Sequence, residues 1–387
     1  MQSTVLVTGG AGFIGSHLVD ELIQRGARVR VLDNLDPQVH GHGARVPSLI
    51  HHHVEAGGVD FIHGDVADPD AVARALEGVD TVFHHAAAVG VGQSMYQIAH
   101  YVRANSLGGG VLLEAILEHR DRIRRVVVAS SMSIYGEGQY RCQEHGVVAP
   151  PLRGAEQLAA GDYRMHCTHC DRVVEALPTP ESKPLQPTSV YAVTKRDHEE
   201  LFLSVGKAYD IPTVALRYFN VYGPRQSLNN PYTGVAAIFA SRLLNRRPPL
   251  VFEDGRQSRD FIHVRDIVAA NTRAMESDEA VGGSYNIGTG RSLSLRDMLG
   301  ALREQLGGPE PDFVGRFRQG DIRHCFADTA RAQEELGFEA EVTFEEGIDD
   351  LAAWARQQAA EDRVDQAARE LEDAGLTLRK KATDPQA

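Results

Sequence analysis

Tryptophan occurs once and cysteine four times in 387 residues, and aromatic side chains make up only 6% of the chain. So few cysteines cannot build a disulfide framework, and the expected compartment is a reducing one, the cytoplasm. Uninterrupted apolar runs of ~18 residues are missing, which predicts no membrane-spanning helix. The chain opens on a hydrophobic strand running straight into glycines, with no basic stretch before it, so no signal peptide is expected. Cationic excess is missing too: 40 Lys plus Arg stand against 53 Asp plus Glu, a formal charge of −13. Phosphate backbones are held by basic surfaces, so nucleic acid is not an expected partner. What remains, 42% hydrophobic and 24% charged residues, is ordinary globular composition. The length fits two modest domains or one large one with an appendage.

The scarce cysteines are not scattered. Cys142, Cys167 and Cys170 share one short segment, and only Cys325 lies apart. Cys142-x2-His145 and Cys167-x2-Cys170 are two pairs at zinc-ribbon spacing, since each two-residue knuckle lets both side chains point at one tetrahedral ion. A closed set of three Cys and one His leaves no open coordination position, so the implied metal is structural. His166 or His169 could stand in for His145, and the alternative is three unrelated thiols with histidines nearby. The run His51-His52-His53, near His40 and His42, has no cysteine and reads as a solvated loop.

Elsewhere strands and helices alternate. Strand patterns cover Thr4 to Thr8, Arg28 to Leu32 (ending at Asp33), Val59 to His63, Val79 to His84 and Val126 to Ala129, the last ending at Ser130-Ser131. A helix starts at Asp68-Pro69, and a long helical region runs from about Ser94 to His119. A helix from Ser189 to Ala208 and a strand from Thr213 to Leu216 follow. This alternation predicts an α/β fold with a Rossmann-type, doubly wound parallel sheet and a ligand at the carboxyl ends of the strands. The second half is less regular, with helices near Val235 to Leu244, Val264 to Met275, Leu295 to Leu306 and Phe344 to Arg356. Short strands near Leu250 to Phe252 and Ser284 to Ile287 lie between them. It reads as a smaller α/β lobe.

The first strand opens into Gly9-Gly-Ala-Gly12-Phe13-Ile14-Gly15 and then a helix. Gly9 permits the tight turn, Gly12 lets backbone approach a pyrophosphate, and Gly15 allows close helix–strand packing. The free N–H groups of the helix start then face the phosphates. Asp33, where the second strand ends, can accept both ribose hydroxyls and would repel a 2′-phosphate, so NAD is favoured over NADP. Asp65 and Val66 are placed to meet the adenine, and Ala86 and Ala87 line the cofactor without bulk. Phe13, Ile14, Asn34 and Tyr218 complete the expected cofactor contacts.

Tyr191 and Lys195 sit at i and i+4 on one helix face. A free tyrosine with a pKa near ~10 is a poor base, but an adjacent ammonium and a positive nicotinamide ring favour the phenolate. Ser131, at a strand end, would supply a hydroxyl to the same substrate oxygen.

Together these residues resemble the extended short-chain dehydrogenase/reductases, and within them the nucleotide-sugar epimerases and dehydratases. The matching motifs are Thr8-Gly-Gly-Ala-Gly-Phe-Ile-Gly15, Ser130-Ser-Met-Ser-Ile-Tyr-Gly136, Tyr191-x3-Lys195, Arg217-Tyr-Phe-Asn-Val-Tyr-Gly-Pro224 and Arg259-Asp-Phe-Ile-His-Val264. The resemblance implies Ser131, Tyr191 and Lys195 as catalytic residues. It implies Asn220, Arg259 and Arg323 as holders of a nucleotide diphosphate, and Asn105 as a support for Lys195 through water. It also implies a homodimer packed through the 94–119 region and the Tyr191 helix. The expected division is a cofactor domain over 1–217 with an insertion at 139–183, a nucleotide-sugar lobe over 218–356, and a surface helix with a loose tail over 357–387.

Relatives that dehydrate or decarboxylate place carboxylates directly after the strand-end hydroxyl. Here those positions are Met132 and Ser133, expected to border the substrate without acid–base chemistry. The implied reaction is 4-epimerisation. Asp33-Asn-Leu-Asp-Pro-Gln-Val-His-Gly41, the Cys pairs and Asn230-Pro-Tyr-Thr-Gly-Val-Ala-Ala-Ile-Phe resemble the dTDP-L-rhamnose 4-epimerase branch. A UDP-glucose or UDP-glucuronic acid 4-epimerase, a 4-ketoreductase of the same fold, and a non-catalytic NAD-binding regulator are the alternatives.

Overall fold

The computed structural model describes residues 3–232, 234–318 and 320–379. The loose tail expected from Lys380 onward lies outside the described residues. Seven parallel strands form the main sheet: β1 Thr4–Thr8, β2 Arg28–Asp33, β3 Val59–His63, β4 Thr81–His84, β5 Arg125–Ser131, β6 Thr213–Tyr218 and β7 Ser284–Ile287. Their order is 7-6-5-4-1-2-3, so the winding reverses between β1 and β4, where a doubly wound sheet opens its ligand crevice. Both faces are covered by helices, which is why β1, β4, β5 and β6 are almost continuously buried.

The expected break at residue 217 is not where the fold divides. β7 pairs with β6 in parallel register, Tyr285 against Leu216 and Asn286 against Arg217. The helix Val264–Glu276 also packs back toward the sheet, putting Ile267 and Ala270 in its core. The smaller lobe is therefore interleaved with the main sheet. Its own core joins Phe239, Met298, Leu302 and Leu351 from the helices Val235–Leu244, Leu295–Leu306 and Phe344–Ala355 with Tyr222 of the short strand Asn220–Tyr222. The last two helices start in capping boxes, Ser294 with Asp297 and Thr343 with Glu346, each satisfying otherwise orphaned N–H groups.

Two local expectations change. The 94–119 region is not one helix: turns at Val91–Ser94 and Ile98–Tyr101 lead into a π-helical stretch, Val102–Leu107, before the α-helix Gly108–Glu118. That wider turn aims Asn105 into the protein, where it is fully buried. The His run is a short helix, His51–Glu55, and not a loop. His53 Nε2 meets Asp20 Oδ1 at 2.7 Å, so this face is held against the first helix. Among the described residues no helix is long and apolar enough to cross a membrane.

A buried ion pair ties the sheet to the helix Val190–Ala208. Glu199 receives Arg217 Nη2 at 2.5 Å, Arg217 Nε at 2.9 Å and Ser130 Oγ at 2.8 Å. Arg217 Nη1 donates to the Tyr135 hydroxyl at 2.6 Å, which donates to Asn286 Oδ1 at 2.7 Å. One carboxylate thus joins β5, β6 and the helix, and through Tyr135 reaches β7. Removing one partner of a buried pair strands the other charge. Glu199→Ala is expected to lower unfolding free energy by about 3–5 kcal/mol, measured by chemical denaturation. An unchanged midpoint would refute the tie.

Candidate active site

A cleft of about 1080 Å³ opens at the β1/β4 reversal and brings together Gly9, Gly12, Asp33, Ser131, Tyr191 and Lys195. Phe13, Ile14, Gly15, Asn34, Asp65, Val66, Ala86, Ala87, Met132, Ser133, Tyr218 and Asn220 line it as well.

The glycine turn is required by its surroundings. A Cβ on Gly9, at φ +72°, would lie 2.7 Å from Ala86 N, and one on Gly15 would lie 2.2 Å from Gly9 O. Only glycine lets the turn sit this close to the exit of β4, leaving a backbone cradle open to a pyrophosphate. Asp33 braces the turn: Oδ2 accepts from Ala11 N at 3.0 Å and Oδ1 from Leu35 N at 2.9 Å. Burial raises its pKa while these N–H donors, and the nearby His40, oppose that shift. Asp65 caps its own turn, accepting from Ala67 N at 2.8 Å and from Asn34 Nδ2 at 3.2 Å. Cradle, carboxylate and small-residue wall together fit a dinucleotide.

The reactive end is set by the helix Val190–Ala208. Ser189 caps it by accepting from Ala192 N at 3.1 Å, and Ser94 Oγ accepts from Tyr191 N at 3.0 Å. Tyr191 and Lys195 then face the end of β5. Burial pushes the Tyr191 hydroxyl up to about 12 against the pull of its hydrogen bond with Ser131. Burial takes Lys195 down to about 7, and its Nζ donates to Ala129 O at 2.9 Å. The expectation of a lowered tyrosine is therefore not met by the protein alone, because desolvation outweighs the hydrogen bond with Ser131. Ser131 Oγ accepts from Ser133 N at 3.2 Å and from Ser133 Oγ at 2.9 Å, so Ser133 orients the serine it follows.

Asn105 lies behind the cleft. Its amide accepts from Ala88 N at 2.8 Å and donates to Ala88 O at 3.1 Å and Thr194 Oγ1 at 2.9 Å. It clamps the chain after β4 to the helix of Tyr191.

The two expected arginines do not line the cleft. Arg259 donates to Ser258 O, Ile322 O and Arg323 O at 2.8 to 3.1 Å and meets Asp321 at 3.2 Å. Arg323 forks onto Asp254 at 2.7 and 2.9 Å and reaches Glu253 at 3.1 Å. Local carboxylates and carbonyls engage the terminal nitrogens of both guanidiniums, and Arg323 Nε is buried without a partner. The arginines that do line the cleft are Arg225, held at 2.7 Å by Asp20, and Arg363. Arg225 stood in plain view beside the Gly-Pro of its motif. Arg363, Gln366 and Glu370 come from the C-terminal segment, and no sequence signal placed them here.

The insertion carries a second cluster. Its strands Gln139–Cys142, Gly146–Val148 and Glu175–Leu177 form an antiparallel sheet. Cys142 Sγ lies 3.7 Å from Cys170 Sγ and 3.6 Å from His145 Nδ1, and Cys167 Sγ lies 3.7 Å from the same nitrogen. The hydrogen bond with His145 leads in drawing the Cys142 thiol down to about 6. His145 is the histidine that converges, whereas His166 is bound to Asp162 at 2.9 Å and to Asp171 O at 2.8 Å. The insertion is moored to the smaller lobe through Arg153, which meets Glu253 at 2.7 Å.

The NAD dependent epimerase/dehydratase family matches residues 5–156 and 170–288, more than half of the chain; residues 157–169 of the Cys segment and those after 288 lie outside the match. The chain belongs to that family. It is an isomerase-class enzyme that works with NAD. It is 33% identical to a dTDP-L-rhamnose 4-epimerase of Burkholderia thailandensis over 92% of this chain and 95% of that one. It is 31% identical to the human UDP-glucose 4-epimerase over 92% of this chain and 97% of that one. Among solved structures, a Thermotoga maritima UDP-glucose 4-epimerase with UDP-glucose superposes with a TM-score of 0.74 at 30% identity, covering 92% of this chain and 99% of that one. A Thermus thermophilus UDP-glucose 4-epimerase in complex with NAD gives 0.70 at 31%, covering 92% and 100%.

Proposed function

We propose that the protein inverts C4 of a nucleotide-diphosphate sugar, with dTDP-L-rhamnose or a similar dTDP-6-deoxyhexose as substrate. The observation that carries the chemistry is Ser131, Tyr191 and Lys195 in one cleft with Met132 and Ser133 beside them. Hydroxyl and amine groups for oxidation at C4 are present, and the neighbouring positions hold no carboxylate for dehydration or decarboxylation. NAD, when bound, takes up and gives back the C4 hydride. Tyr191 accepts the C4 hydroxyl proton and later returns it. The positive ring of the cofactor, when bound beside Lys195, would favour the phenolate, supplying what the protein alone does not. Ser131 donates to the same oxygen. The wide cleft gives the ketose room to turn and offer its other face.

Polar atoms without partners mark where the rest of the substrate would lie. Asn220 Oδ1, Gln226 Oε1 and Arg225 Nη1 are buried and unpaired on residues that line the cleft. Such groups cost about 1–3 kcal/mol each until a ligand meets them. Asn220 and Arg225 fit a ribosyl diphosphate. The dTDP sugar is favoured by the likeness to the Burkholderia protein across 92% of this chain. UDP-glucose is the second reading, favoured by the solved relative that holds it. Incubation with a panel of dTDP- and UDP-sugars, followed by NMR, is expected to reveal C4 inversion without net NADH consumption. Tyr191→Phe should lower turnover by about 10²–10⁴-fold. Full activity in that variant would end the catalytic reading.

The Cys142, His145, Cys167 and Cys170 cluster fits a structural zinc. A tetrahedron with Zn–S bonds of about 2.3 Å has ligand atoms about 3.8 Å apart, close to the spacings found here. Purified protein should carry one zinc per chain, and Cys167→Ser should lose it together with stability. Metal-free protein of unchanged stability would rule the site out.

A homodimer also fits the surface. Ile98, Leu107 and Val193 are 53%, 47% and 46% exposed on the two helical regions expected to pair. Leu107→Glu should convert a dimer to a monomer in sedimentation, and a wild-type monomer would remove this reading.

A further inference from the structure

The C-terminal helix Val364–Asp373 is more than a surface appendage. Its Arg363 to Glu370 side borders the cleft that holds Ser131 and Tyr191. Its root is fixed to the smaller lobe. Arg242 meets Asp362 at 3.0 Å and Asp365 at 2.7 Å, and Asn229 Oδ1 accepts from Glu361 N at 2.7 Å. Beyond the helix, the strand Thr377–Arg379 pairs antiparallel with Arg316–Arg318 of the same lobe.

The other face of the helix reaches the opposite rim. Leu371 is buried against Gly92, where a Cβ would lie 3.0 Å from Leu371 Cδ2. Glu370 Oε2 accepts from the Tyr96 hydroxyl at 3.1 Å and from the Tyr232 hydroxyl, while its Oε1 accepts from Gln366 Nε2 at 3.0 Å. Tyr96 lies just beyond β4 on the sheet side, and Tyr232 lies on the loop leading into the smaller lobe. One carboxylate therefore joins both rims. A second bridge lies in the same cleft: Gln38 donates to Gln93 at 3.1 Å and to Asn230 at 3.3 Å. Ser94, between Gly92 and Tyr96, is the residue that caps Tyr191 N.

Epimerisation has a step at which such a strap matters. In the first half-reaction the C4–H bond breaks, its hydride reduces NAD+ to NADH, and the hydroxyl proton passes to Tyr191. The product is a neutral ketone with no covalent link to the protein. If it leaves, the hydride has no acceptor, and the enzyme is stranded with NADH. If it stays and turns, the hydride returns to the opposite face, the proton goes back to the oxygen, and NAD+ is restored. A strap that closes the cleft sets the ratio of return to escape.

We propose that the C-terminal helix is this strap and that Glu370, bonded to Tyr96 and Tyr232, is its latch. Glu370 acts as a positioning residue that retains the 4-keto intermediate. The inference rests on the 4-epimerase reading and deepens it.

The test compares the full-length wild-type protein with Glu370→Ala and with the milder Tyr96→Phe/Tyr232→Phe double variant, which leaves the helix untouched. Each is incubated with the panel nucleotide sugar that the wild type inverts, in the presence of hydroxylamine to trap free ketose as an oxime. Enzyme-bound NADH is followed at its absorbance maximum. Both variants are expected to keep NAD and the first half-reaction. NADH and oxime formed per inversion should rise by about tenfold or more, the factor that losing a charge-assisted hydrogen bond supplies. An unchanged ratio in the double variant with turnover intact overturns the latch alone. A wild type that inverts no nucleotide sugar overturns the 4-epimerase reading, and the latch with it.

Discussion

The contact on which the rest depends is the buried pair of Glu199 and Arg217. Neither residue touches the cleft's reacting end, yet each is sequence-adjacent to an element that does. Glu199 lies one turn beyond Lys195 on the same helix, and Arg217 immediately precedes Tyr218. Ser130, which shares the carboxylate, immediately precedes Ser131. Two charges taken out of water hold only if geometry and extra hydrogen bonds compensate their desolvation. Here both are supplied, and the compensation doubles as alignment of three strand ends and one helix.

A second buried network does for the insertion what this pair does for the sheet. Glu137 accepts from Tyr140 Oη at 2.6 Å and Arg323 N at 2.7 Å, while Glu253 receives both Arg153 and Arg323. The segment carrying the Cys cluster is thereby docked on the smaller lobe. This also explains why Arg323 is absent from the cleft: the lobe uses its charge internally.

Features encoded by local spacing were legible in the sequence. The glycine turn, Asp33, the strand-end serine and the Tyr191/Lys195 pair each follow from a short pattern whose physical reason is local. Features created by distant pairing were not. Ser284–Ile287 reads as a short strand, but nothing in four residues says it will extend the first domain's sheet. Arg259 and Arg323 sit in family-like motifs, yet their partners come from loops remote in sequence. The C-terminal segment reads as a surface helix, but its position over the cleft is a tertiary fact. The His run misled because short helices carry little periodicity and gain stability from what they pack against.

The insertion has a consequence for chain entropy. Residues 132 to 190, fifty-nine in all, lie between the serine and the tyrosine that must meet at one oxygen. A floppy excursion of that length would tax every approach of the two side chains, although the penalty grows only logarithmically. Folding the excursion on its own small sheet and knuckles shortens it in effect to its two anchored stems. A detour in sequence then becomes a short, stiff bridge in space.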